Sequence, residues 1–332
     1  MKFKWNVMRN AAVAALAVAG LASCGGGTQV ESFVPTRVIA MGDEASLINN
    51  PGGTKYTVNA VVFTTDTSVT PPVTAPAVPT AIECASNQIW TQQVAYSFGM
   101  AFPGCATTGY NLSGVMLATN NATVADLTSQ VNTYLGGNVS SQDLVTVMVG
   151  TNDIILAAEN SANPVATVRA AGTQVGAEVV RITDRGAKVI VSTVPSLGLA
   201  PYAISREAGA PGTVALMSEL STQFNTALRL KLQDVRDGGR AVGLVLADEL
   251  VLAMTRNPVG YGLVNFTLPI CPTAVALTSC DMTTITPAAI DPAGVTANYG
   301  HDWLWADDRH VGANAQGRLG ALAVNRARNN PF

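Results

Sequence analysis

Four short apolar runs constrain this chain more than any other feature. They are Arg37-Val38-Ile39-Ala40-Met41, Leu144-Val145-Thr146-Val147-Met148-Val149, Lys188 to Val194, and Ala241 to Leu246. Each is too short for a helix and rich in β-branched residues, so each reads as a buried strand. Helical spacing fills the intervals. Trp90, Val94 and Phe98 share one helical face, as do Val124, Leu127, Val131 and Leu135 before Gly136-Gly137. Asn163-Pro164 supplies a cap and first-turn proline for a helix running to Gly186. Residues 214–236 and 313–327 predict two more amphipathic helices. Buried strands alternating with helices predict an α/β fold, a parallel sheet with helices on both faces. Tyr56, Val58, Ala60 and Val62 alternate with Lys55, Thr57 and Asn59, which predicts a further half-buried strand. Segments 67–83 and 258–300 are expected to be loop excursions. No repeat or linker interrupts 37–332, so one domain is expected there.

The first 23 residues are read as an address. Lys2, Lys4 and Arg9 precede Ala11–Ala22, an apolar stretch too short to span a bilayer. Leu21-Ala22-Ser23-Cys24 closes it as a bacterial lipoprotein signal does, with lipidation expected at Cys24. Residues 24–36, opening with Gly25-Gly26-Gly27, form a flexible tether. No aspartate follows Cys24, which resembles lipoproteins bound for the outer membrane, with the domain facing the periplasm. The chain carries a net charge of −3, and only 12% of its residues are charged. Without its basic leader it is more acidic still, so no nucleic-acid footprint exists.

Four cysteines remain after Cys24: Cys84, Cys105, Cys271 and Cys280. An even number in an oxidising compartment implies two disulfides, for which three pairings exist. Closeness in sequence favours Cys84–Cys105 and Cys271–Cys280. No C-x-x-C and no nearby histidine pair supports a zinc site. His301 and His310 are the only histidines, so histidine chemistry must use one of them. His301, before Asp302-Trp303-Leu304-Trp305, reads as loop and packing.

Functional residues belong just past the carboxyl ends of such strands. The first strand delivers Gly42-Asp43-Glu44 and the second Gly150-Thr151-Asn152-Asp153; Asp307-Asp308-Arg309-His310 opens the last helix. In this order the three blocks resemble those of the SGNH (GDSL-type) hydrolases, across essentially all of 37–327. The resemblance implies a three-layer, flavodoxin-like α/β/α sandwich, hydrolysis of esters without a cofactor or metal, and an ester-containing small molecule or lipid as substrate. It makes Asn152 an oxyanion-hole donor, Asp307 and His310 the acid and base partners, and Gly114 of Asn111-Leu112-Ser113-Gly114 a second oxyanion donor. A monomer is expected.

The first block departs from the pattern, because Glu44 stands at the position of the nucleophilic serine. A carboxylate attacking an ester would form a high-energy anhydride. It would also favour the His310 imidazolium and spoil it as a base. Ser46, two residues on, is the alternative nucleophile; in a helical segment it would point away from residue 44. The two functions to separate are an ester hydrolase with an atypical nucleophile block and a catalytically impaired lipoprotein of this fold that binds an ester, acyl or acetylated glycan ligand.

Overall fold

The computed structural model describes residues 33–62, 81–286 and 300–329. Cys24 and the leader lie outside them, as do most of the expected tether, residues 63–80, which include 67–80 of the first excursion, and 287–299 of the second. Val34–Phe332 form one compact unit.

All four expected strands form and lie parallel. They are β1 (Arg37–Gly42), β3 (Asp143–Met148), β4 (Lys188–Ser192) and β5 (Val242–Val245). A short edge strand, β2 (Gly114–Met116), joins them in the order β2-β1-β3-β4-β5. Every residue of β3 is buried, because helices cover both faces of the sheet. Ile39, Met41, Val145, Val147, Val189 and Val191 share one face, as period-two alternation requires. They pack against α2 (Val124–Leu135), α4 (Pro164–Thr183) and α6 (Thr213–Asp237). α1 (Trp90–Ser97) and α8 (Ala313–Asn329) pack together, with α8 also against β4 and β5.

Three helices escaped the sequence reading: α3 (Thr151–Asn160), α5 (Pro201–Glu207) and α7 (Ala247–Arg256). α3 begins on the very residues singled out for chemistry. A small parallel pair, β6 (Asn265–Pro269) and β7 (Trp303–Trp305), lies apart from the main sheet.

The strand expected over Tyr56–Val62 does not form; only isolated bridges occur there. The alternation misled because its polar members are buried too. Lys55, Thr57 and Asn59 are all fully inaccessible. The Asn59 amide accepts from the Lys55 N–H and donates to the Lys55, Thr57 and Cys280 carbonyls. Lys55 Nζ donates to the carbonyls of Cys84 and Ser86. Polar groups satisfied in this way can be buried without a strand ladder. Both disulfides, Cys84–Cys105 and Cys271–Cys280, are paired as sequence proximity favoured.

Candidate active site

Two glycines aim the first two blocks at each other. Gly42 ends β1 at φ +119°, and a Cβ there would run into the Met148 carbonyl of β3. Gly150 follows β3 at φ +133°, against the Phe224 ring. Only glycine meets both demands, positive φ and close approach. Past Gly42 the chain makes a single 3-10 turn, Glu44–Ser46, capped by the Asp43 side chain. Past Gly150 it enters α3, which places Asn152 in the first turn.

The third block reaches this point as a tight turn. The Asp307 carboxylate accepts the backbone N–H groups of Arg309 (2.9 Å) and His310 (2.6 Å). Its second oxygen lies 2.8 Å from His310 Nδ1, which fixes the ring orientation. His310 Nε2 then lies 3.1 Å from Glu44 Oε1. Asp307, His310 and Glu44 thus stand in line, from segments 266 residues apart at their extremes.

The other side of the Glu44 carboxylate is equally occupied. Asn152 Nδ2 donates to Oε2 (3.1 Å) and Oε1 (3.3 Å), and the Asn121 backbone N–H donates to Oε2 at 2.8 Å. The backbone N–H of Glu44 itself also supports the charge. A buried carboxylate with this many donors is stable as the anion. Burial pulls the Glu44 pKa upward, but His310 and Asn152 outweigh it and hold the group below its ordinary value. For His310, burial works against the charge. The Asp307 charge and hydrogen bond, with those of Glu44, prevail and raise it to about 10. Asp307 shows the same balance: burial opposes ionisation, and His310 holds the group below the ordinary value. The resting site is an imidazolium between two carboxylates. Next door, burial and the Glu44 charge push the Asp43 pKa well above its ordinary value.

The geometry has a simple chemical reading. An acylated serine runs Cβ–Oγ–C(=O). A glutamate runs Cβ–Cγ–Cδ(=O)–O, so its carboxylate falls where an acyl group would sit. Oε2 lies between the Asn121 N–H and the Asn152 amide, and Oε1 faces His310.

Ser46 does not join this constellation. It is fully buried, and its hydroxyl accepts from the Trp90 indole N–H at 3.2 Å. The turn carries it away from residue 44, as helical geometry requires. Gly114 is also elsewhere. It pairs with Val38, four residues before Gly42, and lies toward the amino end of the sheet. The backbone donor comes instead from Asn121, beyond the carboxyl end of β2. Asn121 has φ +55°, a conformation that asparagine tolerates better than most residues.

Gln130 was missed altogether. From α2 its amide accepts the Gly42 N–H (2.7 Å) and donates to the Gly42 carbonyl (2.9 Å). Asp153 accepts the Val124 N–H at the start of α2. These two contacts tie the Glu44 loop, α2 and α3 into one frame. The expected convergence of Gly42, Asn152 and His310 is therefore present. Among the described residues no cluster of His, Cys, Asp and Glu is arranged to hold a metal ion.

Comparison with known proteins bears on this arrangement. A family model described as GDSL-like lipase/acylhydrolase matches residues 78–275, more than half of the chain. That span includes Asn121, Gln130 and Asn152 but neither Glu44 nor the Asp307–His310 block. Among solved structures, a lipase/acylhydrolase from Enterococcus faecalis is 13% identical, covering 87% of this chain and 93% of that one, with a TM-score of 0.37. A catalytic mutant of an acetylxylan esterase from Geobacillus stearothermophilus is 11% identical, covering 88% and 94%, with a TM-score of 0.43. No curated protein matches the chain.

Proposed function

The chain belongs to the GDSL-like lipase/acylhydrolase family, and from that membership we propose that it is a lipid-anchored envelope hydrolase whose nucleophile position is held by a carboxylate and is closed to serine ester chemistry. The observation that carries this reading is the Glu44 carboxylate, bonded at once to His310, Asn152 and the Asn121 N–H. An ester carbonyl needs the same donors, and they are taken. A base at this position must be neutral, and His310 is held protonated. Ser46 is buried against Trp90 and gives no alternative. The Cys24 anchor, an outer-membrane destination and a monomeric domain facing the periplasm complete the proposal. The two disulfides support an oxidising compartment.

Short-chain aryl esters and a fluorophosphonate probe test it. The wild type should turn over the ester no faster than a blank and should stay unlabelled. Glu44→Ser removes the carboxylate, lowers the His310 pKa and supplies a hydroxyl. Both labelling and turnover should then appear, and both should vanish in Glu44→Ser/His310→Ala. Labelling of the wild type that Ser46→Ala abolishes would overturn the proposal.

A further inference from the structure

We propose that the amino end of the sheet, opposite the site, is a docking face for an anionic phospholipid surface, the bilayer that carries the Cys24 anchor. The inference rests on the anchored reading and deepens it, because it fixes which way the site faces.

The fold sorts its parts to two ends. The five strands of the main sheet run parallel, and the helices that follow them run back. Every strand start, and the ends of α1, α2, α4, α6 and α8, therefore lie at one end. Glu44, Asn152 and His310 lie past the opposite, carboxyl end.

Charge gathers at the amino end. Arg185 before β4, Arg236 in the last turn of α6, and Arg326 and Arg328 in the last turn of α8 are all exposed. None of these four forms an ion pair with a carboxylate among the described residues. Arg37–Asp143, Arg240–Asp184 and Lys231–Asp234 pair three of the acids at this end. Among the described residues only Asp237 is left there to set against the four arginines, in a chain whose net charge is −3.

The same end carries apolar tips. Val34 is 64% exposed and Leu112 57%, and Tyr110 stacks on Tyr96 with centroids 4.4 Å apart. Val38 pairs with Gly114, so the segments carrying Val34 and Leu112 enter the sheet side by side. The Arg328 guanidinium lies 5.2 Å over the Phe98 ring. Aliphatic and aromatic tips among arginines suit a headgroup layer: the tips enter it, and the guanidiniums meet the phosphates.

Chain length selects the occupant. The domain begins at Val34, and nine residues separate it from Cys24. Such a tether reaches at most about 30–35 Å. A domain of this size has a radius of gyration of about 19 Å and is about 50 Å across. A lipid on Cys24 keeps the amino end near the bilayer, and the site end, a domain's width away, is out of reach. A second apolar patch, Val259, Val264 and Leu268, surrounds β6, whose partner β7 leads into Asp307. It belongs to the site side of the fold, away from the tether. With the amino end on lipid, the site opens away from the bilayer. Its ligand then arrives from the aqueous side and is not a phospholipid of the anchoring leaflet.

The test uses the full chain, produced in cells and reconstituted on vesicles of equal parts phosphatidylethanolamine and phosphatidylglycerol. Phosphatidylcholine vesicles serve as the comparison, since the anchor holds the protein on both. Amide hydrogen exchange should slow over residues 107–113 and 326–329 on the anionic vesicles only, and molar salt should erase the difference. Arg185→Glu/Arg326→Glu alters two exposed side chains far from the site. It should cut the docked-to-free ratio read from that slowing by about tenfold or more. The wild-type comparison stands without any variant. Equal exchange on both vesicles, or slowing over 258–268 instead, overturns the proposal. The mass of the N-terminal peptide from the same sample reports the lipid on Cys24. A peptide without lipid overturns the anchored reading itself, which is a separate failure.

Discussion

At the scale of single residues, this site turns on which way a proton is held. His310 has two carboxylate partners and a pKa raised to about 10, whereas burial lowers that of His301. The chain has no other histidine, so proton NMR of the imidazole Cε1–H groups should show two titrations. One midpoint should lie below the usual value of about 6.5 and one well above it. Two midpoints near 6.5 would refute the ion-paired site. In Glu44→Gln the upper midpoint should fall, since only Asp307 still favours the charge. The sign for stability follows. The folded-state value exceeds the unfolded one, so the His310 contribution is complete below about pH 6.5 and fades as pH rises toward 10. Lys55 opposes it in the same window. Burial lowers that amine to about 7, so its charging penalises folding less as pH rises. A bulk unfolding profile mixes the two, and the resonances of His310 do not.

Among elements, the decisive contact is between α2 and the end of β1. Gln130 satisfies both backbone groups of Gly42, the residue that launches the Glu44 turn. Gln130→Ala leaves the buried Gly42 N–H unmet, while the Gly42 carbonyl keeps the Thr119 N–H at 3.1 Å, a cost of about 1–3 kcal/mol without a replacement partner. The denaturant midpoint should fall accordingly. The upper histidine titration should also move downward, because a loosened turn lengthens the Glu44–His310 contact. A stability loss with that titration unmoved would show that Gln130 supports the helix without positioning the carboxylate. Helix α3 tells the complementary story. Its start was hidden because Gly150-Thr151-Asn152-Asp153 carries a catalytic-looking signature where a capping signature was sought, and its first turn serves both roles.

For the whole molecule, the two disulfides bear on stability, and the proposed Cys24 anchor bears on where the domain works. Cys84–Cys105 closes 21 residues beside the Lys55 contacts, and Cys271–Cys280 closes nine. Cys84→Ala/Cys105→Ala should lower stability by roughly 2–4 kcal/mol, with the nine-residue bridge worth somewhat less, by restriction of the unfolded chain. Chemical denaturation of each double variant measures this. Labelled palmitate should enter the full-length protein in cells and fail to enter Cys24→Ala. Incorporation that survives the substitution would dismiss the anchor.

The sequence by itself determined the sheet and most of its helices, because apolar runs and helical spacing report burial directly. It also marked Asn152, Asp307 and His310, which the fold brings together around Glu44. It could not disclose the Asn121 donor, since a backbone N–H has no side-chain signature and this one lies 77 residues from its acceptor. Nor could it show that Tyr56–Val62 is not a strand, because alternation presumes polar residues face water, and here Lys55, Thr57 and Asn59 are sealed inside. Tertiary structure alone decided that the Glu44 carboxylate lies within the donor set. That outcome depends on Gly42, Gln130 and Gly150 closing three distant segments around one oxygen pair, and local sequence does not encode distances of that kind.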